Sequence, residues 1–212
     1  MSRRLPIYLV LDTSGSMSGE PIESLKAGVG MLLSTLRQDP QALETAYLSV
    51  ITFDSSAQQV VPLTELAAFQ QPVIQATGVT YMGAALRLVA ECRDREVRKS
   101  TAEVKGDWKP LVFLMTDGQP TDDFAAGLAE FQKRKWGLVV ACAAGSGADA
   151  SLLKQITENV VVLETTDQVI IKKFFLWVSA SISSASASVA NGIDISKGDQ
   201  LPPPPAEIVM AV

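Results

Sequence analysis

The chain has 212 residues, of which 47% are hydrophobic and 19% charged, enough apolar surface to offset the entropy of ordering a folded domain. Its formal charge of -5 argues against nucleic acid or an anionic membrane as the main partner, because both demand a basic footprint. It contains no histidine, which removes Ser-His-Asp and Cys-His catalysis and histidine-ligated zinc.

In chain order, Arg3 and Arg4 precede an apolar run from Leu5 to Leu11 that mimics a short signal peptide. No small-residue cleavage site follows and the run ends at Asp12, so it reads as a strand buried on both faces. Asp12 to Gly19 is a loop rich in Gly and Ser. A helical pattern opens at Pro21, carries Ile22, Leu25, Val29, Leu32, Leu33 and Leu36 on one face, and stops at Asp39-Pro40. Strands are expected over Ala46–Phe53 and Gln58–Val61, then an irregular stretch from Pro62 to Thr80. A helix from Met82 runs through Leu86, Val89, Ala90 and Val97, and Lys99 to Lys109 reads as a polar loop.

Leu111 to Met115 is a second continuous apolar strand, ending at Thr116-Asp117-Gly118. Helix is expected over Asp123–Lys135, strand over Leu138–Ala143, a short helix over Ser151–Thr157 and strand over Val160–Leu163. A long helix begins near Asp167 with Val169, Ile170, Phe174, Trp177 and Val178. The uncharged stretch from Phe174 to Ile193 is long enough to span a bilayer, but its second half is mostly Ser and Ala, so a buried helix is expected instead. Apolar strands alternating with helices predict a doubly wound α/β fold, a mostly parallel sheet with helices on both faces. The two cysteines, Cys92 and Cys142, lie in apolar segments and read as small buried residues of a reducing compartment, which suits a cytoplasmic protein.

That domain is expected over 1–190, followed by a Pro-rich tail over 191–212. Pro202 to Pro205 force extended polyproline II, and Glu207 to Val212 are mostly apolar; the tail is either loose or docked on its own domain or a partner.

In such sheets ligands bind at the carboxyl ends of the strands, near a topological switch point. Three polar loops belong there: Asp12-Thr13-Ser14-Gly15-Ser16, Gly78-Val79-Thr80, and Thr116-Asp117-Gly118. They offer two carboxylates and several hydroxyls without nitrogen or sulfur, the donor set of a hard divalent cation such as Mg²⁺. Asp12, Ser14 and Ser16 alternate, so in an extended segment all three project one way, and Gly15 allows a sharp turn. Each loop alone also reads as an ordinary turn or helix cap.

Asp12-x-Ser14-x-Ser16, Thr80 within Gly78-Val79-Thr80-Tyr81-Met82-Gly83, and Thr116-Asp117-Gly118 together resemble the metal-ion-dependent adhesion site of von Willebrand factor type A domains. Longer strings, Asp12-Thr-Ser-Gly-Ser-Met, Gly19-Glu-Pro-Ile-Glu23, the run from Leu43 to Ser56 and Trp177-Val-Ser-Ala-Ser-Ile-Ser183, are similar to bacterial tellurium-resistance proteins of the TerY type. The resemblance implies that Ser14, Ser16 and Thr80 ligate Mg²⁺ directly, with Mn²⁺ or Ca²⁺ as substitutes. Asp12 and Asp117 would bind directly or through water. Val79 departs from the pattern, which often has a second glycine there.

The family further implies a cytosolic stress-response module that works beside other tellurium-resistance proteins, which it engages through an acidic residue at the metal, and beside a kinase–phosphatase pair. Gln119, Thr121, Asp122 and Asp123 are candidates for a partner-contact rim, or else a solvated turn with an acidic helix start. An enzyme is not expected. Asp12 stands where a phosphotransferase nucleophile would, but Ser14 replaces the second carboxylate that chemistry wants, and Gly15, Gly19 and Gly28 form no nucleotide fingerprint. A metal-free structural scaffold is the remaining alternative. Direct chelation of a soft metalloid is not expected without histidine.

Overall fold

The computed structural model describes residues 3–193 and 201–211. Seven strands, β1 (Leu5–Asp12), β2 (Ala46–Phe53), β3 (Ala57–Glu65), β4 (Leu111–Thr116), β5 (Leu138–Ala144), β6 (Val160–Leu163) and β7 (Val209–Met210), form one sheet in the order 3-2-1-4-5-6-7. β2, β1, β4, β5 and β6 run parallel, while β3 and β7 close the two edges antiparallel. The chain leaves β1 for β2 on one side and later returns to β4 on the other. The crossover connections therefore diverge at the carboxyl ends of β1 and β4, which opens a crevice there.

Helices cover both faces of this sheet, as the doubly wound expectation required. Leu5, Ile7, Leu9 and Leu11 enter one core, under α1 (Glu20–Leu36), α2 (Pro40–Thr45) and α6 (Gln168–Ala190). Tyr8 and Val10 enter the other, under α3 (Met82–Glu96), α4 (Phe124–Gln132) and the short α5 (Ala150–Leu153). Successive side chains of a strand point to opposite faces, so a strand covered on both sides reads as unbroken apolar sequence. Cys92 and Cys142 are free and buried, one in each core.

Several elements differ from expectation. Asp39-Pro40 ends α1 but also begins α2: the Asp39 carboxylate accepts from Gln41 N at 2.9 Å and Ala42 N at 3.3 Å, with Pro40 in the first turn. β3 runs on through Pro62 to Glu65 because it is an edge strand, where a missing N–H costs little. Val97 falls just outside α3, and α4 and α5 are shorter than their patterns suggested.

α6 starts on Asp167, whose carboxylate accepts from Val169 N at 2.9 Å and Ile170 N at 3.0 Å. It is the one helix, among the described residues, long and apolar enough by length and composition to cross a membrane. In this fold Phe174, Phe175, Trp177, Val178 and Ile182 are instead buried beside α1. Residues 201–211 dock on the same domain. Trp177 Nε1 donates to Pro202 O at 2.8 Å, Lys173 pairs with Glu207 at 2.5 Å, Ile208 is buried, and β7 is hydrogen-bonded to β6.

Candidate metal centre

Backbone contacts draw the three loops together before any side chain acts. Thr13 N donates to Phe53 O at 2.8 Å and Thr77 N to Thr13 O at 2.8 Å, which ties the loop after β1 both to β2 and to the segment before α3. Gly15 N donates to Gly78 O at 3.0 Å, and a Cβ on Gly15 would lie 3.0 Å from that same oxygen. Gly78 has φ +71°, and a Cβ there would overlap Ser55 Oγ at 2.2 Å. Gly15 is thus required less by a sharp bend than by the close approach of a second loop.

Asp12 is buried at the end of β1, with Oδ1 accepting from Ser14 N at 2.8 Å and Oδ2 from the Thr116 hydroxyl at 2.5 Å. Ser14 Oγ and Ser16 Oγ share a hydrogen bond of 3.0 Å, and Ser16 Oγ donates to Asp117 Oδ1 at 2.7 Å. The segment is not extended throughout, as the alternation argument assumed: Gly15–Met17 is a single 3-10 turn, and the turn brings the two hydroxyls together. Thr80 is buried, and a Cβ on Gly118 would touch its Oγ1 at 3.4 Å, so its hydroxyl adjoins the turn after Asp117. Asp12, Ser14, Ser16, Thr80 and Asp117 therefore converge on one crevice between β1 and β4.

Burial raises the Asp12 carboxyl above its ordinary range; hydrogen bonds from Ser14 and Thr116 oppose the shift, and the Asp117 charge adds to it. Asp117 is raised as well, chiefly by burial, against the Ser16 hydrogen bond. No Lys or Arg acts on either group. Two desolvated carboxylates without a cation, beside three hydroxyls, fit a small hard dication, which would supply the missing charge. Among the described residues no cluster of three His, Cys, Asp or Glu occurs.

The proposed rim residues turn out to have scaffold duties. Asp122 caps α3, its oxygens accepting from Gly83 N at 2.9 Å and Ala84 N at 2.7 Å, while Asp123 caps its own helix α4 through Ala126 N at 3.0 Å. Thr121 Oγ1 accepts from Thr80 N at 3.1 Å, and Thr121 N donates to Thr80 O at 2.9 Å. Thr80 does not cap α3; its backbone is clamped and its hydroxyl is left to the crevice. Gln119 alone of the four is exposed without such a duty among the described residues. Thr116, part of the third loop motif but given no role from sequence, is buried and links β4 to Asp12.

Comparison with known proteins agrees with the fold. The family model of the von Willebrand factor type A domain matches residues 7–173. The chain is 34% identical over 124 residues to an uncharacterized protein, sll0103, of Synechocystis sp. (strain ATCC 27184 / PCC 6803 / Kazusa), covering 55% of this chain and 26% of that one. A von Willebrand factor type A structure from Catenulispora acidiphila superposes with a TM-score of 0.65 at 18% identity, over 86% of this chain and 43% of that one. Proximal thread matrix protein 1 of the mussel byssus, solved with a zinc-occupied MIDAS motif, gives 0.58 at 21% identity over 87% and 46%. The chain thus spans about a quarter of its curated relative and less than half of these two structures.

Proposed function

The chain belongs to the von Willebrand factor type A domain family, and from that premise we propose that it is a Mg²⁺-dependent protein-interaction module and not an enzyme. The observation that carries the reading is the convergence of two uncompensated carboxylates and three hydroxyls at the β1–β4 switch point. Ser14, Ser16 and Thr80 would hold the cation directly, with Asp12 and Asp117 direct or through water. A cation held there would offer an electrophilic site to a carboxylate from another molecule. Asp12 and Asp117 balance the dication, so no excess negative charge repels that incoming group. Thr116 orients Asp12, and Thr121 holds the Thr80 backbone in place.

A phosphotransfer reading needs Asp12 as an accessible nucleophile. It is 1% exposed and both its oxygens already accept hydrogen bonds, which disfavours in-line attack. For the cellular setting we propose the cytoplasm and a bacterial tellurium-resistance system with its kinase–phosphatase partners, supported by the longer sequence strings.

Calorimetric titration with Mg²⁺, Mn²⁺ and Ca²⁺ tests the site. One cation per chain is expected in the wild type and none in Asp12→Ala. A hundredfold excess over Kd should stabilise the wild type by about 2.7 kcal/mol. Wild type that takes up none of the three cations overturns the reading.

A further inference from the structure

Charge is divided between the two ends of the sheet. In the segments leading from the carboxyl ends of β1, β2, β4, β5 and β6 into the next element, every charged residue is an acid, Asp54, Asp122, Asp123, Asp149, Glu164 and Asp167 among them. The opposite end is rich in bases: Arg98, Lys99 and Lys105 follow α3, and Lys133, Arg134 and Lys135 follow α4. The eight residues of β1 separate the two ends by roughly 25 Å.

Several acids are exposed at the basic end, Glu44, Glu65 and Glu158 beside the strand ends and Glu103 on a projecting turn between Lys99 and Lys105. Glu103 is at the tip of a turn closed by Thr101 N to Val104 O at 2.9 Å and Val104 N to Thr101 Oγ1 at 3.1 Å. All residues from Arg98 to Lys105 are exposed. The turn is nevertheless anchored. Gly106 N donates to Ser100 Oγ at 2.9 Å, Arg3 Nε to Gly106 O at 2.7 Å, and Trp108 N to Arg4 O at 2.9 Å, while Asp107 is ion-paired with Arg4. Among the described residues nothing hydrogen-bonds or pairs with the Glu103 carboxylate, so it is held out on a fixed support without an intramolecular task.

We infer that the partner captured at the metal centre is a second copy of this chain, docked head to tail, with Glu103 of one copy filling the open position at the metal of the next. The inference rests on the metal-dependent reading above and names its partner. Lys99 and Lys105, which flank Glu103 in sequence, match the acid-only surroundings of the crevice, where a partner with acidic flanks would be repelled. Val104, 65% exposed beside Glu103, and Val79, 44% exposed beside Thr80, give each end one apolar contact. Two different surfaces meet, so the contact is heterologous. It propagates into open chains or closes into a ring, and does not stop at a two-fold dimer.

Sedimentation velocity at increasing protein concentration, with Mg²⁺ or with chelator, tests this. Wild type is expected to form species larger than a dimer only with Mg²⁺. Glu103→Gln should still bind Mg²⁺ in dilute solution but associate at least tenfold more weakly. Thr80→Ala, checked for folding by circular dichroism, should stay monomeric. An equimolar mixture of the two variants should give heterodimers and nothing larger, because each contributes one intact end. Wild type that binds Mg²⁺ yet stays monomeric overturns the inference and leaves the metal site standing; so does assembly that persists in chelator or in Glu103→Gln. Absence of Mg²⁺ binding overturns both readings, which separates the two failures.

Discussion

Asp12 carries two opposed demands in one side chain. Burial makes its charge costly, and it is kept at the end of β1 by Ser14 N and the Thr116 hydroxyl. A residue selected for stability alone would be neutral there, since a desolvated charge without a counter-ion is a net cost. Asp12→Asn preserves the shape and removes the charge. The metal-free variant is therefore expected to melt above metal-free wild type at neutral pH, and to lose the upward shift that Mg²⁺ gives wild type. Thermal melts of both proteins with Mg²⁺ and with chelator check this crossing pattern; an Asn variant less stable than wild type in chelator would show that the carboxylate is mainly structural. The crevice residues were legible because each of the three loops is short and chemically narrow, acids and hydroxyls set in polar turns beside apolar elements. Asp122 was not legible in its actual role. It caps α3 from another loop, across 39 residues of sequence, and no periodicity marks such a bond.

At the scale of elements, the metal crevice depends on how α3 and α4 cross. A Cβ on Gly127 would lie 2.0 Å from Gly83 O, so the two helices touch backbone to backbone where Asp122 and Thr121 hold the start of α3. Gly127→Ala must push the helices apart, and is expected to cost about 1–3 kcal/mol and to weaken Mg²⁺ binding, read by urea unfolding and calorimetry. α6 supplies a pH test. The Thr165 hydroxyl, then the amides of Ile170 and Val169, lower the Asp167 carboxyl below its ordinary value. A group with a depressed folded pKa stabilises above its unfolded value, about 3.9, and loses that contribution as pH falls through the folded one. Asp167→Asn keeps a capping oxygen but not the charge, so its deficit in melting temperature should be full above about pH 5 and should close in stronger acid. A pH-independent deficit would assign the effect to lost hydrogen-bond geometry. The strands and long helices were readable because each is covered on a consistent face. α2 and β7 were not: a six-residue helix and a two-residue strand carry too little periodicity, and β7 exists only because the edge of β6 is there to pair with it.

For the whole molecule, the net charge of -5 describes the sum and hides the layout. Acidic loops at one end and a base-rich other end make the chain a dipole as well as an anion, and beside any charged surface a dipole feels a torque. On an anion-exchange resin it should adsorb with the crevice toward the matrix and the Glu103 turn toward the eluent. A bound dication cancels charge at the face that touches the resin, so the Mg²⁺-loaded protein should leave the column at lower salt than the chelated protein, and Asp12→Ala should show no such difference. Elution salt then becomes a gauge of which end of the molecule is in use.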